Sequence, residues 1–333
     1  MIITRTPFRI SFFGGGTDYP LWYKQNGGKV LATTIDKYCY ISVRELPPFF
    51  EHKFRIVYAK IEKVQQVNEI IHPAVRAALN YQNYKQQGLE IHHDGDLPAR
   101  SGLGSSSSFT VGLLNALDAL NEKTIGKQHL AETAIHVEQD LIAEHVGSQD
   151  QISAAYGGFN EIEFFRDGSF SVKPLIVSQS RLVSLNDHLM LFFSGITRFA
   201  SEVAESTISN LDKRHVELSR MHAMVDKSIS ILRDGDIPIQ EFGKLLHETW
   251  EYKKTLSDKV SSPEIDNIYD TARDNGAIGG KLLGAGGGGF VLLFVNPKDQ
   301  QKVKDALFDL TYVPFKFENS GSKVVLYQPD GFQ

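Results

Sequence analysis

The chain has one cysteine in 333 residues, so no disulfide can form within it. Cys39 lies in an apolar run, Tyr38 to Val43, that reads as strand interior rather than a reactive site. No apolar stretch approaches the roughly 18 residues of a membrane span. The opening Met1-Ile2-Ile3-Thr4-Arg5 has no secretory apolar segment, so a cytoplasmic protein is expected. An excess of either charge is also missing: the formal net charge is −5 and the pI near 6.1, so neither nucleic acid nor membrane is an expected partner. The 11 histidines, His92 and His93 among them, form no metal-binding pair such as H-E-x-x-H. A G-x-x-x-x-G-K-[ST] loop is absent, as are H-R-D and D-F-G, which removes the P-loop and protein-kinase chemistries. What is left is an ordinary globular composition on a chain long enough for two domains.

Glycine is what the chain has, in three clusters. The central one is Leu97-Pro98-Ala99-Arg100-Ser101-Gly102-Leu103-Gly104-Ser105-Ser106-Ser107-Ser108. Phe109, Leu113, Leu117 and Leu120 follow at helical spacing, so the serines stand where a helix begins. A helix start offers unpaired amides and a partial positive charge, and glycines before it let an anion approach the backbone. That pattern points to phosphate rather than to a simple serine cap. The first cluster, Gly14-Gly15-Gly16, ends a strand pattern and is flanked by Arg9 and Asp18; a hairpin turn or a close approach to a ligand both fit it. Within the third cluster, Gly284-x-Gly286-x-x-Gly289 matches the dinucleotide fingerprint formally. It fails in context, because Phe290 to Val295 reads as a strand and the fingerprint must open a helix.

Three further features bear on chemistry. Residues 127–146 carry helical periodicity, and Glu138 falls on an apolar stripe, where a carboxylate needs a cation, a metal or an edge position. Asp150 caps the segment Gln151 to Ala155 or serves a reaction. Thr197, Arg198 and Ser201 gather at the start of a long helix expected from Phe199 to about Leu232, as an anion site or an ordinary cap.

Taken in order, these motifs resemble the three signatures of the small-molecule kinases grouped as galactokinase, homoserine kinase, mevalonate kinase and phosphomevalonate kinase, the GHMP family. The first is Pro7-x-Arg9 through Asp18-Tyr19, the second Pro98 through Ser106, the third Lys281-x-x-Gly284-x-Gly286-Gly287-Gly288. The resemblance covers nearly the whole chain. It implies a two-domain α+β fold: an amino-terminal ribosomal-protein-S5-like α/β domain, residues 1–185, and a carboxy-terminal ferredoxin-like domain, residues 186–333. It implies ATP with its phosphates on Gly102, Leu103, Gly104, Ser105, Ser106, Ser107 and Ser108. Magnesium would sit on Ser106 (or Ser107) and Glu138, the family's spacing to Asp150 favouring Glu138 over Glu144. Arg9 would stabilise the transferred phosphoryl group and Asp150 would accept or orient the attacking hydroxyl. Gly15, Gly16, Thr17, Asp18, Arg198, Gly286 and Gly287 would meet the sugar. Gly15-Gly16 replaces the Glu-His of galactokinases, which speaks against galactose. The opening segment is most similar to the branch of C1 sugar kinases that takes heptose 7-phosphate, a small-molecule sugar phosphate, for nucleotide-activated heptose. A non-phosphorylated sugar such as fucose and a silent sugar- and ATP-binding sensor are the alternatives. Oligomeric state is not legible.

Overall fold

The computed structural model describes residues 1–84, 88–99, 101–196 and 200–329; of Ala200 and Ser201 it describes the backbone. The chain opens with β1 (Ile2–Phe13), a short helix α1 (Pro20–Asn26) and a 19-residue strand β2 (Gly28–Leu46). Strands β3 (Phe54–Val57) and β4 (Ile61–Val64), helix α2 (Pro73–Tyr81) and strand β5 (Gly88–Gly95) lead to α3 (Ser105–Leu120). Next come α4 (Lys127–His136), α5 (Gln149–Tyr156), the hairpin β6 (Phe159–Phe164) and β7 (Phe170–Pro174), α6 (Gln179–His188) and β8 (Leu189–Phe193). The last part holds α7 (Ala200–Ile208), α8 (His215–Arg233), α9 (Gln240–Thr255), α10 (Pro263–Asp274), β9 (Ala277–Leu282) and β10 (Phe290–Val295). It closes with α11 (Gln300–Ala306), β11 (Thr311–Tyr312), β12 (Phe317–Glu318) and β13 (Lys323–Tyr327).

Two sheets organise these elements. The larger runs β13-β1-β2-β5-β3-β4, with β6 and β12 also on β2 and β7 on β6; the smaller runs β11-β8-β10-β9. Both are antiparallel apart from the β3–β5 pair. The expected cut at residue 185 separates the two sheets except at the carboxy terminus, where β12 and β13 cross back to pair with β2 and β1.

From Thr6 to Phe13 every residue of β1 is buried, which follows from its position. Helix α3 covers one face of the sheet, and the close approach at Gly112 is sealed by Thr4 Oγ1 donating to its carbonyl at 2.9 Å. Helices α8 and α9 cover the other face through Leu218, Val225 and Phe242. Pro7 supplies no amide to the ladder, and the β1–β2 register slips between Pro7 and Arg9. That slip lies beside the first charged residue that the site uses.

Several expected elements differ. The turn at Gly14-Gly15-Gly16 leads into α1, with Pro20 in its first turn, and is not a hairpin. The expected helix 127–146 ends at His136 and widens into a π-helical turn, Val137–Leu141, closed by Ile142 N–H donating to the Val137 carbonyl. The expected long helix from Phe199 is two, α7 and α8, separated by a 3-10 turn at Leu211–Lys213. None of the helices among the described residues is long and apolar enough to cross a membrane.

Candidate active site

Arg9 is the hub. Its Nε donates to Asp150 Oδ1 and its Nη2 to Asp150 Oδ2, each at 2.7 Å, a bidentate pair across 141 residues of sequence. Nη1 donates to the Gly102 carbonyl at 2.7 Å, and the Arg9 amide to the Leu103 carbonyl at 3.0 Å. Among the described residues these bonds leave two of the five guanidinium N–H donors uncommitted. One side chain thus ties the first signature to the serine loop and to the start of α5.

The loop stands over the same point. Gly104 is the N-cap of α3 with φ of 74°, and no side chain caps that helix end. The four serines are therefore the first turn of the helix, an end whose dipole favours an anion. A Cβ at Gly104 would come within 3.4 Å of Asp150 Oδ2. Leu103 is core, supplying only its backbone. Ser108 Oγ donates to the Pro7 carbonyl at 3.0 Å, which fastens α3 to β1 and removes that hydroxyl from ligand binding. Ser106 is exposed, whereas Ser107 is buried and donates to Glu138 Oε2 at 2.8 Å. The hydroxyl that reaches the glutamate is thus the second of the two expected candidates.

Glu138 is fully buried on the π-helical turn. Gln151 Nε2 also donates to its Oε2, while its Oε1 has no hydrogen-bond partner among the described residues. Burial pushes its carboxyl up to about 7, against lowering by the hydrogen bonds it accepts. An orphaned buried carboxylate oxygen beside a serine hydroxyl suits a divalent cation. No cluster of three or more acidic, cysteine or histidine ligands exists among the described residues, so such a cation would take its other ligands from phosphate and water.

Arg9 also lines a small, partly open cleft whose wall is made by Gly15, Gly16, Asp18, Gly147, Gln149 and Asp150 together with Lys253, Lys281, Gly284 and Ala285. Asp18 is buried. Its Oδ1 accepts from the Gly16 amide at 2.9 Å, and burial together with the nearby Asp150 raises its carboxyl above the ordinary value. Thr17 is not part of this wall, because its hydroxyl closes the turn by donating to the Gly14 and Lys29 carbonyls at 2.7 and 3.0 Å. Gly15 differs from its neighbours: a Cβ there would meet nothing nearer than 3.8 Å, so its lack of a side chain widens the cleft rather than relieving the backbone.

The third cluster does not bring Gly286 and Gly287 into the cleft. A Cβ at Gly286 would strike the Val260 backbone, and the Gly287 amide donates to the Val260 carbonyl at 2.9 Å. Gly284 packs on Gly102, where a Cβ would lie 2.4 Å from Cα, and Gly289 packs on Ser101. The second and third glycine loops are glycine-rich largely because they stack backbone to backbone. Arg198 and Thr197 lie outside the described residues.

Two cleft lysines were not foreseen. Lys253 carried a signal: Phe242, Leu246, Thr249 and Trp250 form the buried stripe of α9, and Lys253 continues it. Lys281 stood in view as the first residue of the third signature, but nothing local shows that it is buried.

Comparison with known proteins follows the same line. Residues 69–158 match the family described as GHMP kinases N terminal domain and residues 235–312 that described as GHMP kinases C terminal. The D-glycero-alpha-D-manno-heptose 7-phosphate kinase of Campylobacter jejuni is 32% identical, over 97% of this chain and 98% of its own length. The L-fucokinase/L-fucose-1-P guanylyltransferase of Bacteroides fragilis is 27% identical over 89% of this chain and 34% of that longer protein. The crystal structure of a D-glycero-D-manno-heptose 1-phosphate kinase from Bacteroides thetaiotaomicron shares the fold with a TM-score of 0.80 at 23% identity, covering 97% and 98% of the two chains. Lactococcus lactis galactokinase, complexed with galactose, gives a TM-score of 0.73 at 19% identity over 97% and 94%. With both halves matched and a relative spanned end to end, this chain belongs to the GHMP kinases and is a sugar kinase.

Proposed function

We propose that this enzyme transfers the terminal phosphoryl group of ATP to the C1 hydroxyl of D-glycero-D-manno-heptose 7-phosphate, giving the 1,7-bisphosphate. The observation that carries the reading is the bidentate Arg9–Asp150 pair, set between an uncapped helix start and a cleft with Asp18 on its wall. The similarity to the Campylobacter jejuni relative supports the choice of sugar.

In this reading the amides of Ser105 to Ser107 receive the phosphates of ATP. Arg9 presents its two uncommitted N–H groups to the phosphoryl group in transfer, where charge spreads over the equatorial oxygens. Asp150, fixed at both oxygens by Arg9, orients the attacking hydroxyl and takes its proton, and Asp18 accepts hydrogen bonds from the sugar. Ser107 and Glu138 would hold magnesium, which would supply neutralising charge to the phosphates of ATP. Arg198, which lies outside the described residues, is kept as a sugar-side contact.

Sugar-dependent ADP release by the wild type tests this, with Asp150→Ala as the comparison. The variant should lose 10²- to 10⁴-fold in kcat while still binding ATP. A wild type that binds ATP and sugar but releases no ADP would instead be a sensor.

A further inference from the structure

Lys253 and Lys281 line the same cleft as Asp18, and both are buried, at 8% and 3% exposure. Neither forms an ion pair among the described residues. Lys253 Nζ donates to the Leu282 and Gly284 carbonyls at 2.8 and 2.6 Å, and Lys281 Nζ to the Ser11 and Phe12 carbonyls at 3.0 and 2.9 Å. Two carbonyls satisfy two of the three protons on each ammonium and fix the direction of the third. Buried ammonium groups without a counter-ion are costly even when hydrogen-bonded to carbonyls. Such a cost is retained where function requires the charge.

A second observation falls in the same cleft. Ser11 Oγ and Thr207 Oγ1 are buried, line this cleft, and have no hydrogen-bond partner among the described residues. The cleft therefore offers two chemistries. Asp18, Asp150 and the unpartnered Gln149 Oε1 accept, as hydroxyls need, while two ammoniums and two hydroxyls donate, as an oxyanion needs. The phosphates of ATP already have the α3 helix start, so these donors are surplus to them.

We propose that Lys253 and Lys281, with Ser11 and Thr207, form a phosphate-monoester site within the cleft, which holds the phosphate that the sugar brings with it. The assignment rests on the sugar-kinase reading above. Burial, with Arg9 beside it, pushes Lys281 down to about 7, and burial with Lys281 and Arg9 nearby lowers Lys253 as well. The charged groups facing the two lysines are Arg9, Asp18 and Asp150, and a bound dianion adds the negative charge that favours both ammonium forms.

The test is equilibrium binding by calorimetry to the whole protein, with four probes: heptose 7-phosphate, the same heptose without phosphate, inorganic phosphate and a non-hydrolysable ATP analogue. The wild type should prefer the phosphorylated sugar. Lys253→Met and Lys281→Met should each erase on the order of 10- to 100-fold of that preference and leave affinity for the unphosphorylated sugar and the ATP analogue within about 2-fold. Thr207→Val should lose less, and Lys281→Arg should keep most of the preference. Thermal melting of the free proteins, read beside the binding preference, separates this from a structural role.

Loss of ATP-analogue affinity with the sugar preference intact would assign these donors to ATP and overturn the proposal. So would Met variants that melt several degrees lower with the preference intact, which would make the lysines staples. Erasure of the preference by Arg198→Ala alone would assign the phosphate to Arg198 instead. A wild type that binds both sugar forms equally overturns this site and leaves the kinase reading standing; one that binds neither overturns both.

Discussion

Gly147→Ala adds one methyl group at the point where the sugar side of the site is most tightly made. A Cβ at residue 147 would lie 1.9 Å from Asp18 Oδ2 and 2.6 Å from its Cγ, and the backbone at 147 lies outside the left-handed region, so alanine is otherwise acceptable there. Asp18 has nowhere to retreat: it is buried, and the Gly16 amide holds its Oδ1 at 2.9 Å while the Ser148 amide holds its carbonyl at 3.0 Å. Restoring ordinary contact requires the carboxylate or the 146–148 segment to move by about 1.5 Å. Misplacement by about 1 Å typically costs on the order of 10²-fold in rate, and overpacking costs about 1–3 kcal/mol of stability. Initial rates at saturating ATP, with sugar varied, should show kcat/KM for the sugar lowered on the order of 10²-fold, with ATP-analogue affinity unchanged. Gly235→Ala, where a Cβ meets nothing within 4 Å, is the neutral control. A Gly147→Ala enzyme within about 3-fold of wild type in kcat/KM would refute the placement of Asp18 on the sugar.

Two predictions concern the cation. Ser107→Ala should raise the magnesium concentration for half-maximal rate by about 10- to 100-fold, and Ser106→Ala by less than about 3-fold; the reverse order would return the role to Ser106. Glu138→Gln tests the buried carboxyl without metal. Its value near 7 in the folded chain exceeds the ordinary 4.5, so between these pH values the folded state keeps a proton that the unfolded state releases. Stability therefore falls as pH rises through that window and stays low above it. Glutamine cannot ionise, so the metal-free variant should melt above wild type at pH 8, with a smaller gap at pH 5; a lower melting temperature at pH 8 would contradict the assignment.

How far the sequence could be read depended on whether a feature was local. Helix α3 and its serine start were legible because the apolar spacing and the glycines lie within twenty residues. Glu138 stood out as a carboxylate on an apolar stripe, yet the π-helical turn beneath it did not, since one widened turn leaves the same residues apolar. Arg9 and Asp150 were each legible as charged residues beside motifs, while the bidentate contact between them depends on how β1 meets α5. The glycines of the third cluster suggested a ligand, but most of them answer to Gly102, Ser101 and Val260, partners that no local pattern reveals. The return of β13 to β1 is equally non-local. Pro20 was a readable signal for α1, and its buried Trp22 and Tyr23 make that helix part of the core.

The most direct test of the central claim is ATP-dependent ADP release over a small panel: heptose 7-phosphate, sedoheptulose 7-phosphate, mannose, fucose and galactose. The account predicts that heptose 7-phosphate alone is turned over with high kcat/KM and that phosphorus NMR of its product shows a new phosphate at C1. Preferred turnover of fucose or another neutral sugar would contradict the substrate assignment and leave the donors of the cleft without their phosphate.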